Sequence, residues 1–206
     1  MRAIDFYNLF IERTDPSKIY EKNGQTFFEI YKDLRGYTEL VNRHIIPSII
    51  SDCNYSVQHE YYRIDVVGWV SRADTIQSEA DENRLNAHLW DLKIVVEHEN
   101  STRDWTDEVI KLIHIKCPLK VVIGYNNCDL RDGTSHSDAD KLQILAGWMR
   151  KIDALSVGSN EEYLVILGNA KHSKTGKSDY IGFDYRGYLF DETTGRFNLV
   201  GNKEEL

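Results

Sequence analysis

The chain has 206 residues, 41% of them hydrophobic, and a formal charge of −8; that length suits one domain, residues 1–206, with a sizeable core. Its apolar runs, such as Val121 to Ile123 and Tyr163 to Leu167, are far shorter than the ~20 residues that cross a bilayer, and Met1-Arg2-Ala3-Ile4-Asp5-Phe6 has no secretory apolar stretch, so a cytoplasmic location is expected. Cys53, Cys117 and Cys128 form no C-x-x-C pair and argue against a disulfide framework or structural zinc, while the acidic balance disfavours a chain coated with Lys and Arg for nucleic acid, unless its carboxylates surround a metal.

In chain order, Ile4 to Arg13 reads as an amphipathic helix. Phe27 to Ile45 repeats Phe27, Ile30, Leu34, Leu40 and Val41 at helical spacing, ending before Pro47. From Tyr55 to Val70 the pattern is strand-like, with Arg63, Asp65, Val67 and Trp69 assigned to one face, Ile64 and Val66 to the other, and Asp65 in mid-strand. The polar stretch 71–88 reads as a loop. A strand is expected from Leu89 to Glu99, putting Val95, Glu97 and Glu99 on one face.

Asn100-Ser101-Thr102-Arg103-Asp104 then offers N-cap residues to a helix with the stripe Trp105, Val109, Leu112 and Ile113, followed by an apolar strand from Leu119 to Tyr125. Strand, helix, strand in this order predicts a parallel βαβ unit within a mixed sheet. Ser137 and Asp140 suggest a capping box for a helix running to Ile152. Further strands are expected at Glu162 to Leu167, Tyr180 to Phe190 and Arg196 to Val200, with turns at Arg186-Gly187 and Thr194-Gly195.

Asp65 on one strand and Glu97 with Glu99 on a later one would supply hard oxygen donors, with alternate strand residues roughly 6 to 7 Å apart, suiting Mg²⁺ or Mn²⁺. Without a cation, acids so placed repel, and one retains its proton. Both acidic positions interrupt strongly apolar runs, Tyr62-Arg63-Ile64-Asp65-Val66-Val67-Gly68-Trp69 and Leu92-Lys93-Ile94-Val95-Val96-Glu97-His98-Glu99-Asn100.

An acid on one strand, an E-x-E element on the next, then a helix and a buried strand resembles the PD-(D/E)XK, or restriction-endonuclease-like, nuclease superfamily over about residues 27 to 125. The resemblance implies an α/β fold with a central mixed sheet flanked by helices and an N-terminal helical segment. It implies Asp65, Glu97 and the main-chain carbonyl of His98 as Mg²⁺ ligands, and DNA as substrate. Glu99 stands where most of the family has lysine, and would act as general base or second-metal ligand. Lys111, one helical turn after Glu108, would supply the displaced positive charge. Glu39 would be a further helical acid aimed at the cluster, or else a surface acid. Cutting both strands of a duplex would suit a symmetric homodimer. The alternative is a nuclease scaffold without catalysis, binding DNA or protein.

Gly176-Lys177-Ser178 lacks the first glycine of a phosphate-binding P-loop, which would fall at Lys171. The basic stretch from Lys171 to Lys177 is either a DNA-backbone contact or a solvated loop.

Overall fold

The computed structural model describes residues 1–71, 74–85, 90–100, 105–126, 138–151, 160–172 and 180–200. Helices α1 (Ala3–Arg13), α2 (Pro16–Asn23), α3 (Phe27–Tyr31) and α4 (Leu34–Glu39) lead into a π-helical turn, Leu40–Ile45, and α5 (Ile46–Ser51). Strands β1 (Ser56–Tyr61) and β2 (Ile64–Ser71) are followed by α6 (Asp74–Glu82), β3 (Trp90–His98), α7 (Trp105–Ile113), β4 (Leu119–Tyr125) and α8 (Asp138–Lys151). Strands β5 (Glu162–His172), β6 (Tyr180–Asp191) and β7 (Arg196–Leu199) complete the order. Among the described residues no helix is long and apolar enough to cross a membrane.

The seven strands form one sheet in sequence order. β3 and β4 run parallel, as the βαβ pattern predicts, β5 runs parallel to β4, and every other neighbour is antiparallel. The parallel centre is buried on both faces, which explains why β4 is buried along its whole length. On one face Val66, Ile94, Val96, Val121, Ile123 and Ile166 pack under α1, α3, α4 and α5. On the other, Val67, Val95, Val122, Val165 and Leu167 pack under α7 and α8. Lys120, 1% exposed within β4, is held on the α7 side by Glu161 at 2.6 Å and by the carbonyl of Ile113 at 3.3 Å. Burial of this charge is tolerable because it is paired at a helix C-terminus.

The structure departs from sequence expectation at several points. The single helix expected over Phe27 to Ile45 is broken into α3, α4 and the π turn, and the helical path continues past Pro47 into α5. Pro47 has no N–H for the carbonyl four residues back and its ring crowds that carbonyl; the chain widens just before it, with the Ile46 N–H reaching Val41 O, five residues back. The expected strand from Tyr55 to Val70 is a hairpin, with Tyr61 paired to Ile64 across a turn of Tyr62 and Arg63. Both turn residues have positive φ, 49° and 67°, the conformation that a two-residue hairpin needs and that usually selects Asn or Gly. Asp65 is therefore the second residue of β2, not a mid-strand residue, and Ile64 packs with Val67 rather than with Val66.

The stretch expected as a loop over 71–88 contains α6. Arg186-Gly187 is no turn but the interior of β6, where Gly187 lets Tyr7 approach: a Cβ there would lie 2.8 Å from the Tyr7 ring. The N-cap residues Ser101 to Asp104, Ser137, Ile152, Cys128 and the basic stretch after His172 lie outside the described residues. Cys117 is buried and Cys53 half-buried, both as free thiols.

Trp105 opens α7 and is fully buried against Gly124 of β4, where a Cβ would sit 2.7 Å from the Trp105 Cβ and 2.8 Å from its Cγ. Overpacking of this kind costs about 1–3 kcal/mol. Gly124→Ala is expected to lower stability by that amount in denaturant unfolding, whereas Gly147→Ala, with nothing near its would-be Cβ, is expected to leave it unchanged or raise it.

Candidate functional site

Asp65 and Glu97 come together because β2 and β3 pair antiparallel with Val66 opposite Val96, so the residue before Val66 and the residue after Val96, both acids, lie side by side. Period-two alternation then aims Glu97, like Val95, toward α7. Glu97 is 3% exposed, and Asp65 is half-buried with its Oδ2 accepting the His98 backbone N–H at 2.9 Å. The Asp65 side chain thus does at the ladder's end what a main-chain carbonyl would do further along.

α7 contributes the answering charge. The Lys111 Nζ lies 2.6 Å from Glu97 Oε1, pairs with Glu108 one turn earlier, and donates to the Arg63 carbonyl at 3.1 Å. These contacts are ion pairs of poor angle: Glu97 Oε1 and Glu108 Oε2 are buried without a hydrogen-bond partner of acceptable geometry among the described residues. Tyr163 stands close by on β5, its hydroxyl donating to the Val109 carbonyl at 2.5 Å, and the charges of Glu97 and Glu108 add to burial in raising its pKa.

Burial pushes the Glu97 carboxyl up to about 8, with the neighbouring Asp65 and Glu108 charges adding to the rise and Lys111 opposing it. Burial also raises Asp65, against the pull of the His98 N–H and of Lys111. Burial works against the Lys111 ammonium, but Glu108 and Glu97 outweigh it and hold the lysine above its ordinary value. The cluster therefore has more carboxylate than one ammonium neutralises, in a site that water solvates poorly.

Of the residues expected from sequence, the structure brings Asp65, Glu97 and Lys111 together. Glu99 lies one residue beyond β3, half-buried, its N–H donating to the Ile123 carbonyl at 2.9 Å. The His98 side chain points to the opposite face, where its ring nitrogens meet Asn42 Oδ1 at 2.9 Å and the Tyr125 hydroxyl at 2.8 Å, and burial lowers its pKa to about 3. The imidazole is neutral there, so only its main chain could serve the acidic cluster. Glu39 ends α4 as an exposed residue on that same opposite layer, the surface acid of the two readings.

Glu108 was given no role of its own in the sequence, although its place three residues before Lys111 was visible. Tyr163 carried no signal, being one apolar-looking position in a buried strand.

Asp65, Glu97 and Glu108 are oxygen donors of the type that Mg²⁺ and Mn²⁺ prefer, and the poorly partnered Glu97 Oε1 fits a cation's needs. With the side chains as they stand, no group of three or more His, Cys, Asp or Glu among the described residues is arranged to hold a metal. The Lys111 ammonium takes the cationic position instead. Comparison with protein-family models, with curated proteins and with solved structures finds no match for this chain.

The raised Glu97 pKa has a definite consequence for stability. Between its ordinary 4.5 and about 8 the native state retains a proton that the unfolded chain has released, so the native state binds more protons and stability falls as pH rises through that window. At 1.36 kcal/mol per unit the full effect is on the order of 5 kcal/mol. Glu97→Gln, which cannot ionise, is expected to flatten this decline in urea unfolding measured across the window; an unchanged slope would show that Glu97 ionises in the native state as freely as in the unfolded one.

Proposed function

We propose that this chain is a metal-dependent phosphodiesterase acting on DNA, built on a restriction-endonuclease-like scaffold. The observation that carries the reading is the buried Glu97 set beside Asp65 across β2 and β3, with the Lys111 ammonium against it. Support also comes from the order in which the elements occur: an N-terminal helical layer, the β1–β2 hairpin, β3, α7 and the buried parallel strand β4. That is the order of the superfamily which the acids themselves resemble.

In this reading Asp65, Glu97 and Glu108, with the main-chain carbonyl of His98, would hold Mg²⁺ or Mn²⁺. When bound, such an ion supplies Lewis acidity toward water and toward the phosphate oxygen. Lys111 then leaves Glu97 and presents its three N–H donors to the negative charge that grows on the phosphate. Its side chain is 36% exposed, so it can reach solvent without disturbing the core. Glu99, at the open end of β3, would accept the proton of the attacking water. Tyr163 fixes the Val109 turn of α7 and thereby the line along which Lys111 and Glu108 approach the sheet.

A specific observation also favours the second reading, a nuclease-like scaffold that binds DNA or protein without cutting. Lys111 already stands 2.6 Å from Glu97, in the place a cation would take, so this contact can serve as a structural replacement for one.

Cleavage of plasmid and single-stranded DNA with Mg²⁺, with Mn²⁺ and with EDTA separates the two. Metal-dependent strand breakage is expected, reduced in Asp65→Ala and Glu97→Ala by more than the ~10–100-fold that loss of an outer-layer metal partner costs. Lys111→Ala is expected to lower kcat more than it raises KM. Intact DNA under every metal, with Lys111→Ala merely destabilised, would select the non-catalytic scaffold.

A further inference from the structure

Four aromatic rings run outward from the acidic cluster's side of the sheet. Trp69 and Trp90 are stacked at 4.3 Å and 13°, Tyr61 leans on Trp90 at 5.2 Å, and Tyr62 meets Tyr61 edge-on at 4.8 Å. A register shift between Gly68 and Trp69 makes this possible. It turns Leu92 toward the α7 face although Ile94, two residues on, points to the other, and so brings the start of β3 round to Trp69. Tyr61 and Trp69 pack against the same core cluster that lies under α7.

The outermost ring is the unusual one. Tyr62 is 83% exposed and sits at φ 49°, a conformation that disfavours residues with a Cβ by about 1–2 kcal/mol. Neither burial nor turn preference accounts for a tyrosine there, since glycine or asparagine would suit the turn better. The turn is also tied to the cluster. Arg63, the next residue, gives its carbonyl to Lys111 and exposes its side chain, and Asp65 follows two residues later.

We propose that Tyr62, backed by Tyr61, Trp90 and Trp69, is a stacking site for an unpaired nucleobase, making single-stranded DNA the substrate; this rests on the phosphodiesterase reading and narrows it. An aromatic face accepts any base, and Arg63 beside it offers one cation to the adjoining phosphate. The ring and the two nearby cations, Arg63 and Lys111, match one nucleotide's base and phosphate. Stacking also suits a chain of charge −8, which has no net cationic character to draw it along duplex backbone. A base on Tyr62 would place its phosphate toward Arg63 and the strand that carries Asp65.

The test is binding of fluorescein-labelled oligothymidylate, and of a duplex of equal length, read by anisotropy in EDTA with the full chain. Wild type and Tyr62→Phe are expected to bind the single strand alike. Tyr62→Ala is expected to weaken it about 5- to 150-fold, the equivalent of one lost base stack, while leaving duplex affinity unchanged. Tyr62→Gly, which relieves the positive φ, guards against loss of folding and should match Tyr62→Ala. Equal single-strand affinity in wild type and Tyr62→Ala overturns the proposal, as does a wild type that binds no oligothymidylate. Since binding is read without metal, Tyr62-dependent binding with no cleavage under any metal would sink the phosphodiesterase reading alone. Asp65-dependent cleavage with Tyr62-independent binding would sink the stacking site alone.

Discussion

A carboxyl group near the end of a buried strand has to be met by something, and here Glu97 is met by the ammonium of Lys111 at 2.6 Å. That contact joins β3 to α7 across the layer they share, and much of the surrounding architecture sets its geometry. Gly124 admits Trp105 to start α7 close to the sheet, Tyr163 donates to the Val109 carbonyl from β5, and the Arg63 carbonyl at the hairpin turn accepts a hydrogen bond from the same ammonium. Three segments distant in sequence thus converge on one cation. Removing one partner of such a pair costs more than the pair itself contributes, because a charge is left buried and unanswered.

The two faces of the sheet divide the labour. Under the N-terminal helices, polar groups are satisfied internally: His98 is held between Asn42 and Tyr125, and Tyr37 joins the hydroxyls of Tyr125 and Tyr185 in a closed network. Under α7, by contrast, Glu97 and Glu108 retain oxygens without a well-aligned donor. Satisfied networks rigidify a core, whereas under-satisfied carboxylates cost free energy wherever no ligand answers them. β3 contributes to both, sending His98 to the satisfied side and Glu97 to the other, so the strand that fixes the scaffold also carries the buried acid.

How much of this was legible in the sequence follows from the kind of signal each feature leaves. β4 was readable to its ends, and α7 by its stripe, because central parallel strands and amphipathic helices write their burial into composition. The convergence of Asp65 and Glu97 was readable from acids interrupting apolar runs. The hairpin between β1 and β2 was not, since its left-handed turn falls on Tyr62 and Arg63, residues that carry no turn preference. The break before Pro47 was half-visible: proline marked the place, yet the chain absorbed it by widening one turn instead of ending the helix. Gly187 was read as a turn because close approach of a ring and reversal of the chain select the same residue. Glu108 was hidden because an acid three residues before a lysine looks the same in sequence whether the pair faces water or a buried carboxylate.

Local preference and observed structure disagree at Tyr62, Asp65 and Glu97, which lie in one region. Each is costly by itself: an exposed ring in a left-handed turn, a half-buried acid at a strand's start, a fully buried acid near a strand's end. Their grouping matters more than any one of them. Sequences are locally consistent where folding alone sets the residue, and strained choices that collect in one place mark where something else sets it. Core packing does not require Tyr62, and hydrophobic burial would replace Glu97 with a valine like its neighbours Val95 and Val96. In the proposed reading, an aromatic face, a cation and a set of carboxylates in one region would form the complement of a nucleotide: base, phosphate and the cation that bridges them to the protein. On that reading three otherwise separate anomalies would share a single physical cause.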